Sequence, residues 1–270
     1  MTTQPVALVT GGGGGIGAAT SLALARAGAT VLVSGRDASR LQASVDAVRA
    51  QGGMAHPLEL DVCDPESIRD ARRRALSLAG PVRWLVANAG IAISAPLTSD
   101  EAESVAQMQM DVNYHGARRV FEAFLPDLLD QGQGRAVMVA SSAALMGYAY
   151  ITGYAASKHA LLGYARSAAL ELARSGIGVG VICPHYVDTP MTDASVERIV
   201  AKTGRNPEQA RAALAELNPG GQLVRPEEVA EVILRLLRSS STGAVVELTG
   251  SEQCEIERGS PLAASSKKEV

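Results

Sequence analysis

From Val6 to Gly17 the chain reads Val-Ala-Leu-Val-Thr-Gly-Gly-Gly-Gly-Gly-Ile-Gly, an apolar stretch running into five consecutive glycines and then an Ala/Leu-rich segment. No other feature limits the possible folds as tightly. A flexible linker has no reason to follow an apolar strand and open an amphipathic helix, whereas a nucleotide-binding strand–turn–helix does both. Glycines let the backbone approach a pyrophosphate with its N–H groups facing the ligand, and the helix dipole adds a favourable potential. The glycine run leaves the register open. Gly12, Gly14 and Gly17 satisfy G-x-G-x-x-G, while Thr10, Gly11, Gly15, Ile16 and Gly17 satisfy T-G-x-x-x-G-x-G.

Downstream, short β-branched runs alternate with longer Ala/Leu/Arg segments. The spacing predicts strands over Val6–Val9, Thr30–Val33, His56–Leu60, Trp84–Ala87, Ala136–Ala140, Gly178–Ile182 and Ala244–Leu248. Helices are predicted over Ile16–Ala27, Ser39–Ala50, Pro65–Leu78, Ser99–Leu129 with a break, Thr152–Ala173 and Pro226–Leu237. This alternation implies an α/β fold, a Rossmann-type doubly wound parallel sheet of about seven strands with helices on both faces. Residues 1–250 read as a single domain, with a substrate lid at about 187–218 where the alternation breaks, and 251–270 as a polar C-terminal tail with a frayed end.

Composition narrows the function. At 270 residues and 47% hydrophobic, the chain can bury a large core without staples. A net charge of −3 offers no electrostatic footprint for nucleic acid or an anionic membrane. Cys63, Cys183 and Cys254 are odd in number and scattered, as expected of free thiols in a reducing compartment. With no secretory signal pattern at the N-terminus, the expected location is cytoplasmic. His56, His115, His159 and His185 have no metal-ligand spacing, and no metal is expected.

Cofactor choice turns on the end of the second strand. A site for NAD(H) usually carries an acid there, to hold the ribose 2′-hydroxyl. Here the strand ends Val33-Ser34-Gly35-Arg36, and the Arg36 fork suits a 2′-phosphate. Asp37 serves either the ribose or the next helix as its N-cap. NADP(H) is therefore the expected cofactor, with NAD(H) possible. Asp61-Val62, after the third strand, either meets the adenine or forms an ordinary strand-end turn.

Tyr154-Ala-Ala-Ser-Lys158 puts a phenol and an ammonium on one helical face. A cation beside a phenol favours the phenolate and equips it for acid–base work near neutral pH. Ser141-Ser142, at the end of a predicted buried strand, supplies a hydroxyl for a substrate oxygen that gains charge.

Together, Thr10-Gly11-x-x-x-Gly15-Ile16-Gly17, Asn88-Ala89-Gly90, Asn113, Ser142, Tyr154-x-x-x-Lys158 and Pro184 resemble the short-chain dehydrogenase/reductases, over roughly Val6 to Leu248. The likeness is to the single-domain branch, not the longer epimerases. It implies Tyr154 as general acid/base, Lys158 as its pKa modulator and ribose ligand, and Ser142 as partner of the carbonyl oxygen. It further implies that Asn113 holds a water for proton relay and that Asn88-Ala89-Gly90 braces the sheet beside the cofactor. Pro184, Val187 and Thr189 would flank the nicotinamide carboxamide. The implied activity is interconversion of a ketone and a secondary alcohol, in a homotetramer or homodimer built through helices around Asn113–Leu129 and Thr152–Ala173.

Four departures stand out. Ser142 lies twelve residues before Tyr154, one short of the common family spacing, so Ser141 stays open. His185 follows Pro184 where glycine is usual, Ala87 precedes Asn88 where a second Asn is frequent, and Glu247-Leu-Thr-Gly-Ser-Glu replaces a terminal Asp-Gly-Gly. Tyr148, Tyr150, Met146, Tyr186 and Met191 gather around the expected pocket in a chain only 3% aromatic, which favours an apolar or cyclic ketone. Packing beneath the lid accounts for them equally well. Lys202 and Arg205 in the lid are either solvated or meet a phosphorylated acyl carrier, as in a 3-ketoacyl-thioester reductase. Two other classes remain: a catalytically silent nucleotide-binding scaffold, against which the complete Ser–Tyr–Lys–Asn set argues, and a nonredox enzyme using bound nucleotide transiently, such as an epimerase or dehydratase, against which the length and the missing second domain argue.

Overall fold

The apolar run before the glycines forms strand β1 (Val6–Thr10), and all five of its residues are buried. A strand covered on both faces belongs inside a parallel sheet flanked by helices. In the computed structural model, which describes residues 4–130, 132–251 and 253–262, β1 pairs in parallel with β2 (Thr30–Gly35) and with β4 (Trp84–Ala87). The sheet is extended by β3 (Met54–Glu59), β5 (Arg135–Val139), β6 (Gly178–Pro184) and β8 (Val245–Leu248), again in parallel. An antiparallel edge strand, β9 (Gln253–Glu257), completes the order β3-β2-β1-β4-β5-β6-β8-β9. Two short strands, β7 (Ser241–Thr242) and β10 (Ser260–Pro261), pair separately.

Helices α1 (Gly15–Arg26), α2 (Ala38–Ala50) and α9 (Pro226–Arg238) cover one face, where Leu24, Val45 and Ile233 pack on Val9, Val33 and Val246. The other face is covered by α3 (Pro65–Ala79), α5 (Ala117–Asp130) and α6 (Thr152–Leu172), with Phe121, Phe124 and Leu161 against Leu8, Leu85 and Met138. This is the doubly wound Rossmann-type architecture. The chain steps outward from β1 to β3 and then crosses back to β4, which opens a crevice at the C-terminal ends of β1 and β4, the position where such sheets bind ligands.

Three regions differ from the sequence reading. The 99–129 stretch divides into α4 (Ala102–Met110), a π-helical turn (Asp111–Gly116) and α5, so its break is a widened turn within a continuous helix. β3 starts two residues before the expected His56. The polar stretch after β8 carries strands that the sequence reading did not expect, Gln253–Glu257 and Ser260–Pro261; the pairing rests on backbone bonds, and β9 side chains stay largely exposed. The last eight residues of the expected tail, 263–270, lie outside the described residues.

The 187–218 excursion folds as α7 (Pro190–Thr203) and α8 (Pro207–Glu216), which share a small core of Val196, Ala210 and Leu214. The Arg211 guanidinium clamps Asp193 Oδ1 at 2.6 Å and also pairs with Asp188, fastening α8 to the root of α7. Asn218 closes the excursion by exchanging hydrogen bonds of 2.9 Å with both backbone groups of Tyr186. Among the described residues, no helix is long and apolar enough to cross a membrane.

Candidate active site

The glycine run adopts one register. Gly11 and Gly15 have φ of +66° and +51°, in the left-handed region that favours glycine. A Cβ on Gly17 would lie 2.1 Å from the Gly11 carbonyl oxygen, so helix α1 closes on the loop only through glycine. Gly14 is extended and has open space around it. T-G-x-x-x-G-x-G is therefore the pattern the backbone uses. The loop is held from β4: Thr10 Oγ1 accepts from the amides of Asn88 and Ala89 at 2.9 and 3.0 Å, and Asn88 Nδ2 donates to Thr10 O at 2.8 Å. Its tight, side-chain-free curve at a helix N-terminus fits a dinucleotide pyrophosphate.

At the end of β2, Arg36 is exposed, while Asp37 caps α2, its Oδ1 accepting from the amides of Ser39 and Arg40 at 3.1 Å. The Ser39 hydroxyl bond, with these amides, holds the Asp37 carboxyl below the ordinary carboxylate range. That occupation ties Asp37 to α2, while Arg36 beside it is exposed. Sequence reasoning missed Arg40, whose Cβ would sit 3.0 Å from a Cβ on Gly13, placing a second guanidinium stem against the loop. Asp61 accepts from the Cys63 amide at 2.9 Å, closing the turn after β3. Val62 is buried against Gly116.

The π-helical turn buries Asn113, which grips the backbone of Ile91: Oδ1 accepts from Ile91 N at 2.8 Å and Nδ2 donates to Ile91 O at 3.0 Å. Nδ2 also lies 3.0 Å from Ser157 Oγ on α6. Gly90 permits this approach, since a Cβ there would stand 3.1 Å from Asn113 Oδ1 and 3.6 Å from Lys158 Nζ. Asn113 thus joins the loop after β4 to the helix that carries Tyr154 and Lys158.

Tyr154 and Lys158 sit one turn apart on α6, with Nζ 5.8 Å from the phenol ring centroid. Lys158 is buried and donates to Val139 O at 2.9 Å. Burial lowers its ammonium to about 8. Burial pushes the Tyr154 phenol up to about 12, and the Ser141 hydroxyl pulls it part of the way back. In the absence of a ligand, then, the phenol is a proton-bearing acid.

Both candidate serines line the cavity, and they sit differently. Ser141 is the one whose hydroxyl acts on the Tyr154 phenol, drawing its pKa down. Ser142 is buried in a short 3₁₀ turn (Ser142–Ala144) and accepts from Tyr148 Oη at 2.9 Å. The difference is local: Ser141 is extended and caps the turn, accepting from Ala143 N at 3.2 Å, while Ser142 lies within it.

Asn88, Gly90, Ser141, Ser142, Tyr154 and Lys158 line one cavity of about 530 Å³, together with Ile16, Pro184, Val187 and Thr189, while Asn113 stands behind it. Thr189 stands just before α7, and its Cγ2 would lie 3.1 Å from a Cβ on Gly15, so the root of the 187–218 excursion rests on the glycine loop. Tyr148, Tyr150, Tyr186 and Met191 line the cavity as the aromatic density suggested, while Met146 does not. Lys202 lines it and Arg205 does not. His185 is tied to β8: its Nε2 lies 2.8 Å from Glu247 Oε1, and Nδ1 is buried without a partner. Two of the four departures therefore compensate each other. Arg198, also on the cavity wall, was not singled out from the sequence. Met191, Ser195, Arg198 and Lys202 recur at helical spacing, and that stripe was the available signal.

Comparison with known proteins agrees with this geometry. The profile described as short chain dehydrogenase matches residues 5–219. Cyclohexanol dehydrogenase of Acinetobacter sp. (strain SE19) is 34% identical over 237 residues, covering 88% of this chain and 89% of that protein. The 3-oxoacyl-[acyl-carrier-protein] reductase FabG of Thermotoga maritima is 33% identical over 248 residues, covering 91% and 96%. A variant of actinorhodin polyketide ketoreductase, solved with NADPH, superposes with a TM-score of 0.87 at 30% identity, over 93% of this chain and 97% of that one.

Proposed function

The chain belongs to the short-chain dehydrogenase family and is an oxidoreductase acting on CH–OH groups, and from that premise we propose that it reduces apolar or cyclic ketones with NADPH, using Tyr154 as proton donor. The observation that carries the reading is the meeting of Ser141, Tyr154 and Lys158 in one cavity beside a glycine loop shaped for a pyrophosphate.

Thr10, Gly11, Gly15, Ile16 and Gly17 would hold the pyrophosphate, with Thr189 closing over it. Asn88, Ala89, Gly90, Pro184 and Val187 would flank the nicotinamide side, and Asp61 and Val62 the adenine. Arg36, exposed beside a capped Asp37, supports a 2′-phosphate and hence NADP(H) over NAD(H), with Arg40 as a second cation nearby. When bound, the nicotinamide supplies the hydride that adds to the carbonyl carbon. As electrons move onto the carbonyl oxygen, Ser141 donates a hydrogen bond to it. Tyr154 then gives that oxygen its proton, yielding the alcohol and a phenolate. Lys158 stabilises the phenolate by its charge and has further N–H groups for the ribose beside its bond to Val139 O. Asn113 positions Lys158 and Tyr154 through Ser157, and the proton returns to Tyr154 from solvent along this polar path.

A 3-ketoacyl-thioester reductase is the second reading, favoured by Lys202 on the cavity wall and by the similarity to a carrier-protein reductase. The test is oxidation of NADPH and of NADH by the purified protein over cyclic ketones, aromatic ketones, diketones and 3-ketoacyl thioesters. The account expects NADPH turnover with cyclic ketones, and a shift toward NADH in Arg36→Asp. Silence toward every carbonyl with both cofactors would remove the ketone-reductase reading. Preference for the thioesters would install the second.

A further inference from the structure

The wall of the cavity is lopsided in charge. Lys158, Arg198 and Lys202 line it, and among the described residues no aspartate or glutamate does. Lys158 serves the reaction centre, but Arg198 stands elsewhere. It lies on α7 nine residues beyond Thr189, about 13 Å along the helix at 1.5 Å per residue. The pyrophosphate is met at the other end of that helix, where Thr189 rests on the loop, so Arg198 belongs to the substrate side.

Its guanidinium is half satisfied. Nη2 donates to Ala92 O and to Ser195 Oγ, each at 3.1 Å, so the side chain spans the cavity from the lid to the loop after β4. Ser195 is itself fixed, donating to Met191 O at 3.1 Å. Nε is buried with no acceptor, and no acidic side chain among the described residues pairs with Arg198. The same cavity wall carries Ile199, Leu214 and Tyr148. A cation on such a wall is tolerable while water fills the cavity. Once a substrate body expels that water, the charge and the free N–H groups need an anion with acceptor oxygens.

We propose that Arg198 anchors a carboxylate on the substrate, so that this enzyme acts on a keto acid, or the matching hydroxy acid, whose apolar body separates the reacting carbon at Tyr154 from the acid group at the lid. The inference rests on the ketone-reductase reading and narrows it. A carboxylate suits the site better than the phosphate of an acyl arm. Arg198 is held inside the cavity by Ala92, while Lys202, one turn further along α7, lines the same wall but is exposed. Because Arg198 already bridges lid and loop, the same anion would also pin the lid over the ketone.

The test compares 4-oxocyclohexanecarboxylate with its methyl ester, and with acetoacetyl-CoA as the phosphate-bearing arm, in wild type, Arg198→Leu and Arg198→Lys. The acid should exceed the ester in kcat/KM by about tenfold or more, the range of a charge-assisted hydrogen-bonded pair. Arg198→Leu should cost the acid at least about thirtyfold more than it costs the ester, chiefly through KM, with Arg198→Lys intermediate. Equal losses for acid and ester would reduce Arg198 to a lid brace, and a preference for the ester or the thioester would overturn the proposal. Calorimetric titration of the same acid and ester into the protein with NADP+, where no hydride is available, separates this inference from its premise. Arg198-dependent binding of the acid without turnover would support the anchor and sink the reductase reading, whereas brisk reduction of neutral ketones with no acid preference would do the opposite.

Discussion

Replacing Gly17 by alanine tests the phosphate loop at its tightest point. The added methyl would fall 2.1 Å from the Gly11 carbonyl oxygen and 2.8 Å from the Gly11 carbonyl carbon, where real contacts do not come closer than 3.0 Å. Neither side can yield by a rotamer change, since both neighbours are backbone and Gly17 is buried. Loop or helix must therefore move by about 0.9 Å, and overpacking of this kind costs about 2–3 kcal/mol. The moved segment is also the one whose N–H groups would meet the pyrophosphate, and a misplacement of about 1 Å there is worth roughly a hundredfold. Gly14→Ser is the matched control. Gly14 is extended, exposed and has no atom within 4 Å, and serine at a helix N-cap is neutral or stabilising by a few tenths of a kcal/mol. The assays are urea unfolding and titration of NADPH fluorescence. Gly17→Ala should lower both the unfolding midpoint and the affinity, with Gly14→Ser matching the wild type. Wild-type behaviour in Gly17→Ala, or equal damage in Gly14→Ser, would refute the register and with it the placement of the pyrophosphate.

Two further outcomes follow from the reaction centre. Ser141→Ala should reduce kcat by about a hundredfold, the usual cost of an oxyanion donor, whereas Ser142→Ala, which loses only its bond from Tyr148, should cost less than about tenfold; the reverse order in steady-state kinetics would restore Ser142. Burial raises the Tyr154 pKa to about 12, so in the ligand-free protein its proton stays on through the interval where an exposed phenol, near 10, loses it. The sign is that of a raised pKa: its contribution to stability is present below about pH 10 and lost as pH climbs through 12. An ultraviolet difference titration of wild type against Tyr154→Phe should show no tyrosinate from Tyr154 below about pH 10, and a midpoint near neutrality would contradict the buried, neutral phenol.

Most of the framework was legible in the sequence because its signals are local. Buried parallel strands announce themselves as β-branched runs, and Tyr154 and Lys158 share a helical turn by spacing alone. Signals made by distant partners were not legible. The choice between Ser141 and Ser142 stayed open because counting residues cannot say how a strand end turns, and here a 3₁₀ turn buries Ser142 against Tyr148. The five glycines could not declare a register until Gly11 and Gly17 were seen in contact. His185 looked anomalous alone, and its explanation stands 62 residues away in Glu247. Likewise β9 alternates only over Gln253-Cys254-Glu255-Ile256-Glu257, inside a polar stretch, and it is held at the sheet edge by backbone hydrogen bonds while its side chains stay largely exposed.

The central claim is that Tyr154 delivers the proton to the reduced carbonyl. Its most direct test is the turnover of the best ketone with NADPH by Tyr154→Phe, alongside NADPH binding by the same variant. The phenyl ring preserves the shape of the cavity and removes the acid, so binding should stay within about threefold of the wild type while kcat falls by about a thousandfold or more. A Tyr154→Phe protein that binds NADPH and still reduces the ketone within tenfold of the wild-type rate would contradict the account.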